Sequence, residues 1–570
     1  MPADLQKRGI LTLLDHGSSL RIPVFQRSFA WEPDNVDDYW DDLISALDRD
    51  GGPAEYFLGL IVVDENWEIQ DGQQRLATTL MFAGAIYDAI ERTRVDPQHD
   101  AELARNVLGL ITPALRTGAN APLTLNPADQ AVLLQRVGIR ADSPESTKRL
   151  DKVRQRLSAL LHHDLQGLGT ADERLRRLRH WAEFLRLPAY VVQLKVPPRD
   201  AHNIFETLNT RGVRLSNGDL IKSHLVARAS AADTAAAVAK WNEVIGALKD
   251  EKGAYESDLE SFLLHYYGSR YGQTVRRDLF TDLRDQVSGQ DPLTTLDDLR
   301  ANAVIYRALV DPGAADGYWS TLGAGTKQAI ELVNALNLRQ LRYLLLAVLR
   351  DFAPTVNAST RRRRQAEAVR RIAAWSVRGL VFRLLSGGTA EDAYITAATA
   401  IRGGTIDTVA KLKAHFIDKD ILNEDDALFE DEFRGYPWDS KTNHTKARAV
   451  LYALETSQIP NRSALTARQT LTVEHVLPRS PEPGKWTQFS ADERDIYTYR
   501  LGNLLLIDGP SRANDSLGNK SWSEKKRLIQ GFGTQTPLTT AALAKGTWSR
   551  TTISDRQADL AAVAVQAFPL

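Results

Sequence analysis

The sequence predicts a multidomain α+β protein that is mostly helical, and three observations lead to this fold class. With 570 residues the chain is too long for a single hydrophobic core, so about three domains are expected. Short apolar runs rich in β-branched residues, which are typical of strands, occur towards the two ends of the chain. Between about residues 225 and 430, by contrast, apolar residues recur almost throughout with helical spacing.

The N-terminal part is expected to form a mixed α/β domain. The run YFLGLIVV (56–63) predicts a strand, and WEIQ (67–70) predicts a second strand joined to it by a hairpin turn. Behind the sequence DGQQR, apolar residues recur with helical spacing from Leu76 onwards, so a helix is expected to open there. Helical patterns fill the stretch between about 100 and 186, and LPAYVVQLKV (187–196) predicts a further strand.

Two long apolar-rich segments indicate a helical middle. Residues 328–352 predict one long helix or a pair of helices, and residues 368–385 predict another. The basic run Arg361–Arg364 lies between them, and a solvated helix start explains it better than a DNA-binding patch. An acidic segment, 423–433, separates this part from the tail. The expected domains are therefore residues 1–230, 231–430 and 431–570.

Composition and charge narrow the classes of function. The chain has no cysteine, which excludes a disulfide framework and a thiolate zinc site and fits a reducing compartment. No apolar run approaches the length of a membrane span, and the N-terminus has no signal-peptide core, so a soluble cytoplasmic protein is expected. From Asp431 onwards there are 18 Lys and Arg against 14 Asp and Glu. This excess is compatible with phosphate contacts, although random scatter explains it almost as well.

Three segments of the tail carry residues suited to phosphodiester hydrolysis. They are, in order, VEHVLPRS with Glu474 and His475, RLGNLLLID with Asn503, and SRANDSLGNKSWSEKK with Asn514. Hydrolysis needs a base that deprotonates water and a divalent cation that stabilises charge on the phosphate. A histidine suits the base, and a carboxylate with an amide oxygen suits Mg²⁺ or Mn²⁺. A hairpin carrying Glu-His, followed by a helix carrying Asn, could bring these groups to one ion.

In these segments the tail resembles the HNH, or ββα-metal, nuclease superfamily. The most similar variant is fused behind a nucleotide-handling domain in GmrSD-type modification-dependent restriction enzymes. The resemblance implies that His475 is the general base, that Glu474 and Asn514 are metal ligands and that Asn503 orients the catalytic hairpin. Many members have Asp in place of the glutamate and a final His in place of the second asparagine, and both replacements keep the ligand chemistry. Three lysines are expected to contact DNA: Lys520, Lys525 and Lys526. A lone His-x-x-Pro would more often be structural, but the three segments in order favour the nuclease.

Four motifs in the first 225 residues place polar residues where the backbone turns into a helix. They are IPVFQRSFAW (22–31), DDYWDDL (37–43), EIQDGQQRLATTL (68–80) and IFETLNTRGVRLSNGDLIKSHL (204–225). Asp71 and Gly72 form a turn before a helix N-terminus, which is an anion site made by exposed N–H groups and the helix dipole. Arg27 and Arg75 add positive charge suited to phosphates. A helix cap with a surface arginine would also explain DGQQR alone. No GxxxxGK[ST] motif is present, so any nucleotide site is not of P-loop type.

These four motifs, in this order, resemble the N-terminal domain of GmrSD- and SspE-type phage-defence proteins, whose signature is DGQQR. The resemblance covers about residues 1–230 and 435–570, and it implies a fold similar to ParB and sulfiredoxin. It also implies binding and hydrolysis of an NTP, GTP in several members, and sensing of modified DNA. The implied nucleotide-binding residues are Gln26, Arg27, Asp71, Gln73, Gln74 and Arg75, with Asn209, Arg211 and Lys222 in second rank. Family motifs often have Tyr where this chain has Phe25, which puts any hydrogen bond of that hydroxyl in doubt. Trp31 and Trp40 are expected to pack in the core rather than stack on bases.

The sequence therefore predicts an anti-phage, modification-dependent DNA endonuclease that nicks or cleaves with a His base and Mg²⁺ or Mn²⁺. GTP or another NTP is expected to regulate it, and the DNA is expected to carry phosphorothioate linkages or glucosylated hydroxymethylcytosine. The sequence does not decide whether the chain forms a homo-oligomer. Three alternatives remain: an RNA-cleaving nuclease, a DNA-binding regulator with a decayed nuclease motif, and an NTPase whose C-terminal part is only structural.

Overall fold

The computed structural model of the chain describes residues 4–15, 19–23, 28–49, 53–93, 101–117, 121–125, 129–130, 133, 145–197, 216–230, 232–249, 256–385, 388–440, 444–459, 471–510, 513–533 and 535–570. The chain divides into two compact units, 1–238 and 239–570. The architecture is mostly helical with small sheets, in agreement with the predicted α+β class. Among the described residues, no helix combines the length and the apolar character needed to cross a membrane.

The first unit combines short strands with helices. Its strands are β1 Asp4–Gly9, β2 Leu20–Arg21, β3 Tyr56–Asp64, β4 Ile69–Asp71, β5 Leu123–Thr124 and β6 Ala189–Val196. Its helices are α1 Ile10–Leu14, α2 Pro33–Leu47, α3 Gln73–Thr93, α4 Ala101–Ile111, α5 Glu145–Gln166, α6 Ala171–Arg186 and α7 Asn217–Arg228, with a 3-10 turn at Thr112–Leu115. Helix α8, Thr234–Leu248, contains the boundary between the units.

A four-stranded sheet with the order β1-β6-β3-β4 organises the first unit. β3 runs parallel to β6, whereas β1 pairs with β6 and β4 pairs with β3 in antiparallel fashion. The predicted strands at 56–63 and 187–196 and the predicted hairpin are confirmed. β4 begins two residues later than predicted, because Trp67 has a φ of 64° and belongs to the turn.

Helix α3 packs in the main core of the first unit, where its side chains lie with those of β3 and β6. The helix predicted behind DGQQR is thereby confirmed. Trp40 is buried, and its ring centroid lies 4.9 Å from that of Trp181 and 5.3 Å from that of Phe82. Trp31 is half-buried and packs against the same core. Both tryptophans therefore pack as expected.

The second unit is a helical body with one small hairpin. Its helices are α9 Glu256–Tyr271, α10 Leu279–Val287, α11 Pro292–Val310, α12 Asp316–Ser320, α13 Ala324–Ala335, α14 Leu341–Asp351, α15 Ala358–Val381, α16 Gly388–Arg402, α17 Val409–Asp418, α18 Asp426–Gly435, α19 Thr445–Ser457, α20 Ala491–Tyr497, α21 Ala513–Leu517, α22 Trp522–Gly531, α23 Pro537–Leu543 and α24 Arg550–Ala567. Its strands are β7 Leu471–His475 and β8 Leu504–Asp508, and its 3-10 turns are Gly313–Ala315 and Leu501–Asn503.

The helical middle follows the apolar pattern of the sequence. The segment 328–352 is a pair of helices, α13 and α14, and between them Asn337 has a φ of 59° that interrupts the helix. Helix α15 begins ten residues before its predicted start at 368, because Asn357 caps it by accepting a hydrogen bond from the Thr360 N–H. The run Arg361–Arg364 lies in the first turns of this helix, so the predicted solvated helix start is confirmed.

The tail folds as strand, strand and helix in the predicted order. β7 and β8 are antiparallel, with Glu474 opposite Leu505 and His475 opposite Leu504. The short helix α21, which carries Asn514, follows β8. Apolar side chains of β8, α21, α22 and α23 form the core beneath the hairpin. This arrangement fixes the position of the predicted nuclease residues.

Candidate functional site

An open cleft of about 1470 Å³ lies within the second unit. Its lining includes residues at the ends of α11 and α13, among them Glu331 and Asn334. It also includes residues of β7, of the segment after it and of the region of α21. Three of the predicted nuclease residues line this cleft together: Glu474, His475 and Asn514. The structure therefore brings to one concave surface residues that lie about forty positions apart in the sequence.

His475 is the last residue of β7 and borders the cleft with one tenth of its side chain exposed. Its Nε2 atom lies 2.8 Å from Oδ2 of Asp439. Its Nδ1 atom has no hydrogen bond within the described part of the chain. The ring packs edge-on against the rings of His444 and Tyr499, at centroid distances of 5.3 and 6.1 Å. One ring nitrogen is thus held by a carboxylate while the other is available to a substrate or a water.

Asp439 is shared between two histidines, and its side chain is completely buried. Its Oδ1 atom is 2.5 Å from Nδ1 of His444. On the far side of that ring, Nη1 of Arg479 donates to Nε2 of His444 over 2.9 Å. Arg479 itself is exposed and lines the cleft. The four side chains form a continuous hydrogen-bonded row from the cleft surface back to His475.

The environment favours a neutral His475 beside an ionised Asp439. Burial lowers the pKa of His475, and the hydrogen bond and charge of Asp439 reverse only part of that effect. Burial raises the pKa of Asp439, but the hydrogen bonds from His475 and His444 outweigh it and leave that pKa below its usual value. A neutral imidazole next to a carboxylate is the state that a general base requires at neutral pH.

Glu474 forms a buried ion pair with Lys525. Its Oε1 atom accepts a 2.6 Å hydrogen bond from Nζ of Lys525, which also donates over 2.9 Å to the main-chain oxygen of His475. Burial raises the pKa of Glu474 and lowers that of Lys525, and their mutual contact opposes both shifts. The Oε2 atom of Glu474 makes no hydrogen bond to any described residue. The Oε2 atom of the Glu474 carboxylate is therefore unengaged.

The three predicted DNA-binding lysines differ in their surroundings. The side chain of Lys525 has no exposed surface, whereas a direct contact with a DNA phosphate requires an accessible ammonium group. Lys526 is half-buried and donates to the main-chain oxygen of Lys545 over 3.3 Å. Lys520 is half-buried and directly follows Asn519, which lines the cleft. Among the three, Lys520 has the position most compatible with a nucleic acid in the cleft.

Two asparagines hold the hairpin and the following helix together. Asn514 donates from Nδ2 to the Val473 oxygen over 2.8 Å and accepts at Oδ1 from Thr472 Oγ1 over 3.2 Å. Asn503 is completely buried, and its side-chain amide forms two hydrogen bonds with the main chain of Leu477, at 2.8 and 2.9 Å. Asn503 therefore lies beneath the cleft surface and holds the segment that follows His475.

The donor atoms at the cleft fit a hard divalent cation. Glu474 Oε2 and Asn514 Oδ1 are oxygens of the types that Mg²⁺ and Mn²⁺ prefer, and both residues line the cleft. A third oxygen, Oδ1 of Asn519 in the same lining, is buried and has no hydrogen-bond partner among the described residues. The charge of Lys525 offsets that of Glu474, which weakens the attraction for a cation but leaves the donors in place.

A second group of metal-binding atoms lies beside the first. Asp439, His444 and His475 each offer one ligand atom, and these atoms lie within 4.8 Å of one another. A mixed nitrogen and oxygen set would suit a transition metal. The guanidinium of Arg479 beside His444 opposes a cation there, and all three groups already satisfy one another by hydrogen bonds. The hydrogen-bonded state is therefore the better description of this group.

The sequence-based prediction does not include Asp439 and His444. Asp439 precedes His475 by 36 residues and lies outside the three segments that resemble a nuclease. The segment PWDSKTNH (437–444) does contain an aspartate and a histidine, but their spacing does not indicate which residue they contact. They precede α19, which packs against β8 of the hairpin, and this contact between distant segments is not visible in the local sequence.

In the first unit, Arg75 is engaged by the main chain of β3. Its Nη1 atom donates to the oxygens of Leu58 and Leu60, both over 3.0 Å, and Nη2 lies 3.5 Å from Oδ2 of Asp71. Gly59 between the two carbonyls has a φ of 113°, and a Cβ there would lie 2.2 Å from Nη1. Arg75 thus stabilises an irregular point of the strand, where the pairing register also shifts.

The other predicted nucleotide-binding residues are only partly within the described chain. Gln74 is buried and accepts at Oε1 from the N–H groups of Ala30 and Trp31, at 2.9 and 3.3 Å. Gln73 is buried in the first turn of α3. Lys222 is half-buried on α7, and burial lowers its pKa. The remaining candidates lie outside the described residues: Gln26, Arg27, Asn209 and Arg211.

Comparison with known families gives two matches. Residues 10–226 match the family described as the N-terminal domain of GmrSD restriction endonuclease, and residues 423–563 match the C-terminal domain of GmrSD restriction endonucleases. The second match contains β7, β8, α21 and the whole row from Asp439 to His475. No individually curated protein matches the chain. The two matches occur in the order of the family and together cover more than half of the sequence, and the chain therefore belongs to the GmrSD restriction endonucleases.

Proposed function

We propose that the chain is a metal-dependent DNA endonuclease of the HNH type that reacts at the cleft around His475. One observation carries this proposal: an imidazole with an unengaged Nδ1 lines the same cleft as the oxygen donors Glu474 and Asn514. A base beside hard oxygen ligands is the combination that phosphodiester hydrolysis requires. The membership of a restriction endonuclease family supports DNA as the substrate.

In this proposal, Nδ1 of His475 takes a proton from a water molecule as the water oxygen bonds to phosphorus. The bond from phosphorus to the leaving ester oxygen breaks, and that oxygen takes a proton from solvent. Glu474 and Asn514 would hold a divalent cation, which supplies stabilisation of the charge that develops on the phosphate. The exposed Arg479, which lines the same cleft, would contact a DNA phosphate.

Regulation by a nucleotide is proposed for the first unit, with GTP or another NTP as the ligand. The proposal rests on the start of α3, where Gly72 has a φ of 95°. This turn directs the main chain into a helix N-terminus, where backbone N–H groups favour an anion. Arg75 is engaged by main-chain carbonyls, so the proposal relies on the backbone more than on this guanidinium. The same unit is proposed to sense a DNA modification.

The test is a supercoiled-plasmid nicking assay with Mg²⁺ or Mn²⁺, with and without GTP. Unmodified, phosphorothioated and glucosyl-hydroxymethylated plasmids are compared, and His475→Ala is assayed in parallel. We expect metal-dependent cutting that is lost in the variant, with a rate that depends on the modification and on the nucleotide. If wild type and variant were equally inactive on every DNA but the wild type cut RNA, the substrate would be RNA and not DNA. Inactivity on both would leave binding or NTP turnover as the function.

A further inference from the structure

We propose that Asp439 is the positioning residue of the general base and that His444 and Arg479 fix its orientation and its proton arrangement. This inference rests on the proposed role of His475. It concerns which nitrogen of His475 carries the proton, and therefore which nitrogen can accept one from water. Asp439 and His444 lie outside the segments that the sequence singles out by their chemistry, and Arg479 lies in the VEHVLPRS segment without an assigned role.

The direction of each hydrogen bond follows from the arginine. A guanidinium can only donate, so Nε2 of His444 must accept from Arg479. A neutral imidazole then has its proton on Nδ1, which donates to Oδ1 of Asp439. The ionised Asp439 accepts at Oδ2 from the Nε2–H of His475. The Nδ1 atom of His475 is thereby left without a proton, as a base.

The burial of Asp439 restricts its two histidine partners to this one hydrogen-bonding arrangement. The side chain of Asp439 has no exposed surface, so water does not compete with the two imidazoles for its oxygens. Each carboxylate oxygen has one histidine partner, and neither histidine can turn its ring without leaving a buried oxygen unsatisfied, which is costly. The charge of Asp439 would also stabilise the imidazolium that forms when His475 takes a proton, as a carboxylate does in other His-carboxylate pairs.

Asparagine at position 439 tests the proton arrangement with little change of shape. One of its two terminal groups is an NH₂ donor, so one histidine would have to accept where it now donates. We expect Asp439→Asn and Asp439→Ala to slow single-turnover cleavage by about 10²- to 10⁴-fold. Asp492→Ala, at an exposed position of α20, is the matched control and should cut at the wild-type rate. Unaltered cleavage by Asp439→Ala would overturn the proposal.

Chemical rescue separates positioning from a structural role. Imidazole added to His475→Gly supplies a free base that Asp439 does not hold in place. We expect Asp439→Ala to slow the enzyme that retains His475 but to leave the imidazole-rescued rate of His475→Gly nearly unchanged. An equal loss in both backgrounds would show that Asp439 only supports the shape of the cleft, and the proposal would be wrong.

A spectroscopic measurement makes the test independent of cutting. Nitrogen-15 spectra of histidine-labelled protein, assigned with His475→Gln, report which ring nitrogen carries the proton. We expect the Nε2–H form of His475 in the wild type and a mixture of the two tautomers in Asp439→Ala. A wild-type protein that already shows the mixture, or the Nδ1–H form, would overturn the proposal. A protein with the expected tautomer that cuts no nucleic acid would instead refute the proposed function alone.

Discussion

Lys525 donates a 2.6 Å hydrogen bond to Glu474 and a second, of 2.9 Å, to the main-chain oxygen of His475. A single ammonium on α22 thus holds two consecutive residues at the reactive end of β7. Both side chains of the ion pair are buried: that of Lys525 is 0% exposed and that of Glu474 is 7% exposed. Removal of either partner would leave an uncompensated charge away from water, which is strongly destabilising.

Replacement of Lys525 by alanine is therefore expected to destabilise the second unit. We expect Lys525→Ala to lower the free energy of unfolding by about 3–5 kcal/mol. Lys485→Ala, at a half-exposed position, should change the free energy by less than about 0.5 kcal/mol. Urea unfolding followed by tryptophan fluorescence measures both. If Lys525→Ala were as stable as the wild type but bound DNA more weakly, Lys525 would act on DNA as the sequence predicts.

Replacement of glycine by alanine at two positions of the first unit should change the stability of the protein in opposite directions. Gly59 has a positive φ, and a Cβ would displace the guanidinium of Arg75 from its two carbonyl partners. We expect Gly59→Ala to destabilise the protein by about 2–4 kcal/mol through backbone strain and lost hydrogen bonds. Gly109 lies in α4 with open space around it, so Gly109→Ala should stabilise by roughly 0.5–1 kcal/mol. Equal effects of the two variants on urea unfolding would contradict this role of Gly59.

Local pattern was sufficient to predict β3, β4, β6, the C-terminal hairpin and the long helices, but it did not predict β1, β2 and β5. The apolar run before Asp64 and the apolar run after Asn503 are each short and bounded by polar or turn-forming residues, which is typical of a strand. The positions of charged side chains could not be predicted in the same way. Lys525 and Lys526 are adjacent in the sequence, yet only the first is fully buried, because the orientation of α22 over the hairpin decides which one meets Glu474.

The candidate site was likewise predictable only in part. Glu474, His475 and Asn514 belong to segments with a recognisable order, so the sequence alone places them at one site. Asp439 and His444 reach the site through a contact between distant parts of the chain, and no local pattern encodes such a contact. Arg75 illustrates the converse: its motif suggests a phosphate ligand, whereas its guanidinium binds carbonyls of the neighbouring strand.

His265 should make the second unit sensitive to acid. The ring is buried against Tyr343 and Tyr306, its Nδ1 contacts the Ser261 oxygen, and burial lowers its pKa to about 4. Between the unfolded value near 6.5 and this lower value, the unfolded chain takes up a proton that the folded chain does not, so stability falls as the pH falls. The full loss, below about pH 4, is roughly 3 kcal/mol for this group.

Unfolding measured as a function of pH checks this expectation. His265→Gln removes the titrating group, so the free energy of unfolding of the variant should fall less steeply than that of the wild type between pH 6.5 and 4. Ser359→Ala, at an exposed position of α15, changes no titrating group and should retain the wild-type slope. Parallel pH profiles of wild type and His265→Gln would show that the histidine is not held in its neutral form.

Metal dependence should follow the oxygen donors of the cleft. We expect EDTA to abolish cutting and Mg²⁺ or Mn²⁺ to restore it, because the proposed ligands are a carboxylate and an amide. Asn514→Ala removes one ligand and should raise the Mg²⁺ concentration for half-maximal cutting at least about 10-fold. Titration of cutting with Mg²⁺ compares the variant with Ser516→Ala, which lies on the same short helix. An unchanged Mg²⁺ requirement in Asn514→Ala would exclude this asparagine as a ligand.

The most direct test of the proposed nuclease is the single-turnover cleavage rate of His475→Ala at saturating Mg²⁺. The plasmid that the wild type cuts fastest is used, and His162→Ala serves as the matched control. If His475 is the general base, the rate falls by about 10²- to 10⁴-fold in His475→Ala and is unchanged in the control. Cleavage by His475→Ala at the wild-type rate would contradict the assignment of His475 and with it the proposed reaction centre.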